Sequence, residues 1–199
     1  MFVTLYGINN IGKSTQARML VNYYNSIGIK AKYLKFPIYD ITPSGVFLHT
    51  SLRSKVQTIT ETELQMWFAI NRYQFQPTLK NMLSEYDLII AEDYTGTALA
   101  WGSSKGEDLE FLESINSKLL QEDLAILIDG QRSMDSIEEG HIHENDNQLV
   151  NKVKNTLLNL ADKLNWHIIQ RQEDMVDTQN LLRNLISQKL ENSRRSYFI

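Results

Sequence analysis

Short apolar runs alternate along the chain with longer stretches of helical periodicity. The runs at 2–6, 31–35, 87–91, 124–129 and 166–170 read as strands. The intervening segments read as helices at 13–26, 43–53, 61–85, 95–102, 107–120, 145–164 and 176–192. In 61–85, Leu64, Trp67, Phe68, Phe75, Leu79, Met82 and Leu83 fall on one side. In 145–164, Leu149, Val153, Leu157, Leu160, Ala161 and Leu164 recur at helical spacing. Strand and helix in regular alternation predict an α/β domain: a five-stranded parallel sheet between two helical layers, three layers in all. No repeat, biased segment or long linker divides the chain, so residues 1–199 read as one domain. In such a sheet ligands lie beyond the carboxyl ends of the strands. Phe36-Pro37, Glu92-Asp93, the loop after Asp129 and the loop after Gln170 should therefore converge on the loop that follows the first strand.

That loop carries the strongest chemical signal. Residues 7–14 read Gly-Ile-Asn-Asn-Ile-Gly-Lys-Ser, the G-x-x-x-x-G-K-S pattern, placed after a strand and opening a helix. Gly7 and Gly12 permit backbone angles and a close approach that a side chain would block. The loop's N–H groups then face an anion, and the helix from Lys13 adds the positive end of its dipole. Lys13 brings a mobile charge to the β- and γ-phosphates, and Ser14 a hydroxyl for Mg²⁺. The pattern resembles the phosphate loop of P-loop NTPases, and that fold is expected. A strand–helix turn without a ligand is the alternative.

Four other places carry candidate chemistry beside a blander reading. Phe36-Pro37 turns the chain away from the sheet, as would any proline-bounded strand exit packed by an aromatic. Phe68 and Arg72, four apart on one helix face, suit a flat base and its polar edge; a core Phe beside a surface Arg has the same spacing. Glu92 and Asp93 end an apolar strand, where acids hold Mg²⁺ through water or take a proton; Asp93 or Thr95 could equally cap the next helix. Residues 130–147 form a polar stretch suited to a lid, with Arg132, His141 and His143. His141-Ile142-His143-Glu144 with Asp146 matches no common metal spacing, and a solvated lid is the simpler reading.

Composition changes this picture little. The chain is 42% hydrophobic and 22% charged, as globular domains are. Its net charge of −4 argues against a general nucleic-acid binder. It has no cysteine, which excludes disulfide and thiolate chemistry. Neither a charged-then-apolar leader nor a membrane-length run is present, so a cytoplasmic protein is expected.

Taken together, these residues resemble the thymidylate kinase family of nucleoside monophosphate kinases. Gly7 to Gln16 is similar to its phosphate loop, and Lys35-Phe36-Pro37 to its Phe-Pro turn. Tyr39 to Gly45 looks like one branch's continuation of that turn. Phe68-Ala69-Ile70-Asn71-Arg72 resembles its base-binding helix, in which the Phe stacks on thymine and the Arg meets the base edge. Glu92-Asp93-Tyr94 falls on its Asp-Arg-Tyr, Thr97 on its Ser, and Ala100-Trp101 on its Ala-aromatic pair near the sugar. His143 to Asp146 looks like its lid exit.

The resemblance implies ATP and Mg²⁺. The ATP-binding set would be Gly7, Asn9, Asn10, Ile11, Gly12, Lys13, Ser14, Thr15 and Arg132. Asn9, Phe36, Pro37, Tyr39, Phe68, Arg72, Tyr94, Thr97 and Trp101 would bind the acceptor. Ser14 and Glu92 would hold the metal, and Lys13, Glu92 and Asp93 would be catalytic. It also implies a homodimer, with the helix from 61 packing against its copy, and a role in nucleotide biosynthesis.

The departures share one direction. Asn9 replaces an acid, Asn10 an arginine of one branch, Tyr39 an arginine that meets the acceptor phosphate, and Asp93 the arginine of Asp-Arg-Tyr. Residues 133–147 contain no Arg or Lys. Three readings follow. The first is a deoxypyrimidine monophosphate kinase in which Arg132, Lys35 or Lys105 supplies the missing charge. The second is a deoxynucleoside kinase with Glu92 as base, and the third a catalytically weak nucleotide-binding member.

Overall fold

The computed structural model of the chain describes residues 1–54, 58–131 and 147–195. The lid expected at 130–147, with Arg132, His141, His143, Glu144 and Asp146, therefore lies almost wholly outside the described residues. Elsewhere the expected elements are present. Strands β1 (Phe2–Tyr6), β2 (Ala31–Lys35), β3 (Leu88–Glu92), β4 (Leu124–Asp129) and β5 (His167–Gln170) form one sheet in the order β2-β3-β1-β4-β5. Every pairing is parallel. The β3 boundary is one residue later than expected, because Glu92 still pairs with Leu5 and Lys35. β1 and β3 are buried along their whole length, as a sheet covered on both faces requires.

Helix α1 (Lys13–Ser26) packs against α7 (Met175–Arg195) over one face of the sheet. α3 (Glu61–Glu85), α4 (Thr95–Ser104), α5 (Leu109–Asn116) and α6 (Asn147–Lys163) cover the other, and α2 (Ser44–Arg53) rests on α3. Local chemistry sets several boundaries. Thr60 caps α3 by accepting a hydrogen bond from the Glu63 N–H at 3.1 Å. Asp108 does the same for α5 through Phe111 N–H at 2.8 Å. α5 is shorter than the expected 107–120, because its cap sits at Asp108 and its last residue is Asn116.

The sheet's ligand-facing edge is braced by Tyr6. Its ring stacks on Trp166 with centroids 4.3 Å apart. Its hydroxyl donates to Glu122 Oε1 at 2.6 Å and accepts from the Gly96 N–H at 3.3 Å. One phenol thus joins β1, the start of α4 and the approach to β4. Burial pushes the Glu122 carboxyl above its ordinary 4.5, against the pull of the Tyr6 hydrogen bond. Tyr6→Phe should cost about 1–3 kcal/mol, because it takes the phenol donor from the Glu122 carboxyl and the acceptor from the Gly96 N–H. Glu122→Gln should melt at least as high as wild type at pH 7. The folded state holds its proton to higher pH than the unfolded state, so ionised Glu122 lowers stability as pH rises above 4.5. That advantage should vanish near pH 4. Differential scanning calorimetry of both variants across pH checks the pair.

Candidate active site

The carboxyl ends of β1, β2, β3 and β5 open into a cleft of about 800 Å³. Its floor is the 7–14 loop. Gly7 has φ 151°, and a Cβ there would lie 2.8 Å from the Ile128 carbonyl oxygen and 2.9 Å from Ile11 Cγ2. Only glycine fits so close to β4. Gly12, at φ 104°, caps α1 with no side-chain hydrogen bond, and no acid occupies the first turn. The helix's free N–H groups and positive dipole end therefore face the cleft uncompensated.

Lys13 is only 6% exposed. Its Nζ donates to the carbonyls of Gly7 at 3.0 Å and Ile8 at 3.1 Å, and lies 3.5 Å from Asp93 Oδ1. Ser14 Oγ donates to Glu92 Oε2 at 3.0 Å. Glu92, 1% exposed, also accepts from the Tyr33 hydroxyl, and Lys35 Nζ is 3.7 Å from its Oε1. Asp93 takes a left-handed backbone angle, φ 63°, and accepts from Thr97 Oγ1 at 3.2 Å. α4 is capped at Tyr94 without a side-chain hydrogen bond, so neither Asp93 nor Thr95 serves as the helix cap. The two acids at the end of β3 face the phosphate loop instead.

The inner end of the cleft is a slot walled by Phe36, Phe68, Thr97, Ala98 and Trp101. Arg72 lines it at 4% exposure. Its Nε donates to Asn116 Oδ1 at 3.1 Å, while Nη2 has no hydrogen-bond partner. Burial pulls this guanidinium down to about 10. A buried, partly unsatisfied donor at the end of an aromatic slot suits the polar edge of a flat ring.

The residue beside it, Asn71, holds the turn that closes the slot. Its amide accepts from Ile38 N–H at 2.8 Å and donates to the Ile38 carbonyl at 2.8 Å and to Ser44 Oγ at 3.0 Å.

Most of the expected site residues share this cleft: Asn9 to Thr15 on its floor, Phe36, Pro37 and Tyr39 at the turn, and Phe68, Arg72, Glu92, Asp93, Thr97 and Trp101 around the slot. Gly7 lies beneath the floor. Tyr94 lies behind the wall, 1% exposed, its ring 4.9 Å from Phe36 and 5.2 Å from Phe2. Arg132 is outside the described residues. Of the other proposed sources of charge, Lys35 and Lys105 both line the cleft, and Lys105 is held by Glu61 at 2.9 Å. The chain after Gln170 also arrives as expected, with Arg171, Gln172 and Glu173 at the rim.

Sequence reasoning missed Tyr33, Gln65, Asn71 and Arg53. Gln65 was readable as the residue three before Phe68 on the same helix face.

A family model described as Thymidylate kinase matches residues 5–182. The chain belongs to the thymidylate kinase family. Membership makes it an ATP-dependent nucleotide kinase, with ATP as phosphate donor. A thymidylate kinase of Arabidopsis thaliana is 24% identical over 92% of this chain and 70% of its own length.

Two solved structures share the fold. The thymidylate kinase of Candida albicans superposes with a TM-score of 0.75 at 21% identity, covering 95% of this chain and 92% of the other. That of Ehrlichia chaffeensis gives 0.74 at 18%, covering 94% and 98%. Among the described residues no helix is long and apolar enough to cross a membrane.

Proposed function

We propose that this thymidylate kinase family member transfers the γ-phosphoryl group of ATP to a deoxypyrimidine monophosphate of the dTMP type. The observation that carries this reading is the juxtaposition in one cleft of the Lys13 phosphate loop with Phe36, Phe68, Trp101 and Arg72, whose buried Nη2 is unsatisfied. The family match favours a monophosphate acceptor over the nucleoside alternative.

In the reaction a phosphate oxygen of the acceptor bonds to the γ-phosphorus as the bond to the β–γ bridging oxygen breaks. The diphosphate product and ADP then leave. The attacking oxygen is already anionic, so no general base is needed. Lys13 neutralises the β- and γ-oxygens, and the loop's N–H groups hold the triphosphate in line. Phe68 and Phe36 sandwich the base, Arg72 and Thr97 read its edge, and Asn9 and Trp101 shape the sugar end. Asp93 releases Lys13 to the phosphates and, through Thr97, ties it to the base slot.

Ser14 Oγ and Glu92, 3.0 Å apart and both hard oxygen donors, fit a Mg²⁺ site, with Glu92 acting through water. When bound, the ion neutralises charge on the transferring phosphates.

A coupled ADP-release assay with ATP, Mg²⁺ and a panel of nucleosides and monophosphates tests the reading. Turnover with dTMP is expected; no turnover with any monophosphate rejects it. Trp101 is bulky and should exclude a ribose 2′-hydroxyl. Trp101→Ala is expected to raise kcat/KM for UMP relative to dTMP by about 10-fold, the scale of one pocket contact. Equal rates for UMP and dTMP in the wild type would contradict that role.

We place the enzyme in the cytoplasm, as a homodimer. α3 exposes Met66 and Ile70, at 41% and 40%, beside Val46 of α2 at 56%. Light scattering that finds only monomers would remove the dimer.

A further inference from the structure

A monophosphate seated between the base slot and the phosphate loop brings two negative charges into a cleft that already holds Glu92 and Asp93. Something cationic must meet it. Among the described residues the cations lining the cleft are Lys13, Lys35, Arg53, Arg72, Lys105 and Arg171. Lys13 serves the donor phosphates and Arg72 the base slot. Lys105 is paired with Glu61 at 2.9 Å, and Arg171 donates to the Gln131 carbonyl at 2.7 Å beside β5. Lys35, whose approach to Glu92 is long at 3.7 Å, and Arg53 remain.

We propose that Arg53, with Lys35 beside it, is the acceptor-phosphate clamp of this enzyme, and that Tyr39 is the shelf that positions Arg53. The inference rests on the monophosphate reading above.

Arg53 ends α2, and its place is set from two sides. α3 pins the chain that leads into α2: Gln74 accepts from the Ser44 N–H at 3.2 Å and donates to the Thr42 carbonyl at 3.0 Å. Asn71 grips Ile38 and Ser44. At the other end the Arg53 guanidinium lies over the Tyr39 ring, 5.3 Å from its centroid, and that ring is braced edge-on by His49 at 5.4 Å. Arg53 is exposed. Its Nη1 donates to the His49 carbonyl of its own helix at a long 3.4 Å, and no carboxylate among the described residues pairs with it.

The Tyr39 phenol reports the neighbourhood. Burial pushes it up, Arg53 and Lys35 pull it down, and Asp93 pushes it up again. Both cations and the repelling acid therefore lie within electrostatic reach of one phenol. A planar guanidinium held by the Tyr39 ring and its hydroxyl still has N–H donors left for a phosphate, whereas a lysine there would offer only a point charge.

The test separates phosphate from base. Binding of dTMP and of thymidine, which shares base and sugar but lacks the phosphate, is measured by calorimetry for wild type, Arg53→Gln, Arg53→Lys and Lys35→Gln. Arg53→Gln should weaken dTMP about 10- to 100-fold, the scale of lost charge-assisted hydrogen bonds, and leave thymidine affinity and KM for ATP unchanged. Arg53→Lys should recover only part of the loss, and Lys35→Gln should reproduce a smaller one.

dTMP affinity of Arg53→Gln within twofold of wild type overturns the clamp, as does an equal loss for dTMP and thymidine. In either case wild-type turnover of dTMP leaves the kinase reading intact. A wild type inert toward every monophosphate removes both.

Discussion

Lys13→Ala is expected to lower kcat by about a thousandfold or more, with a melting temperature close to wild type. A preorganised donor aimed at charge that develops in the transition state carries about 10²–10³ in rate by itself. Lys13 is also the cation that the structure already places inside the loop, against Gly7, Ile8 and Asp93. The stability cost should be small for a structural reason. Lys13 lines the cleft, so water can enter the space its side chain vacates and replace the lost donor, and Asp93 is 19% exposed. Steady-state kinetics with saturating dTMP, beside thermal melts, check both halves. Retained turnover would mean that the loop grips the triphosphate without its ammonium, and the mechanism would need another charge.

The fold was legible because its signals are local. A strand buried on both faces has to be apolar, and β1, β3 and β4 are. The G-x-x-x-x-G-K-S spacing is similarly self-contained: Gly7 is required by the nearness of β4, but the pattern announces the requirement. Phe68 and Arg72 were readable as a pair because one helix carries both.

The parts that were not legible depend on contacts distant in sequence. Arg53 enters the cleft only because Asn71 and Gln74 of α3 pin the 38–44 segment and so aim α2. Nothing within residues 43–53 announces that. Tyr33 reaches Glu92 because β2 and β3 pair in one register. Tyr94 shows the opposite case. It follows the left-handed turn at Asp93 and turns inward to pack on Phe2 and Phe36, so a residue expected at the sugar lies in the wall behind it.

Those same contacts bear on the missing arginines. Asp93 stands where charge reversal would repel an acceptor phosphate, yet it lies against Lys13 and Thr97. Its negative charge is thereby partly neutralised before any ligand arrives. The loss of cations on one side of the cleft is offset by Arg53 and Lys35 on another, which is an argument about placement that residue-by-residue matching does not reach.

The second large effect is expected at Arg72, where stability and function should part. The guanidinium is buried, holds one hydrogen bond to Asn116, leaves Nη2 unsatisfied and is pulled down to about 10 by desolvation. A buried charge with so few partners destabilises the free protein, because removing it from water costs several kcal/mol and little here repays it. Relief of that buried charge should therefore offset the Asn116 Oδ1 acceptor left unpaired when an apolar chain of similar length fills the site. Arg72→Met is expected to melt at or above the wild-type temperature, while kcat/KM for dTMP falls about 100- to 1,000-fold, in line with a lost charge-assisted contact plus an unpaired base edge. KM for ATP should hold, since the donor phosphates lie on the Lys13 loop. Arg72→Lys should not rescue: a point-charge ammonium cannot reach Asn116 and a ring edge in the fixed directions of a planar fork. Melting curves and dTMP kinetics on the same preparations decide the matter. A fall in melting temperature with kinetics untouched would instead make Arg72 a scaffold residue, and the slot would have to read its base through Thr97 and Gln65.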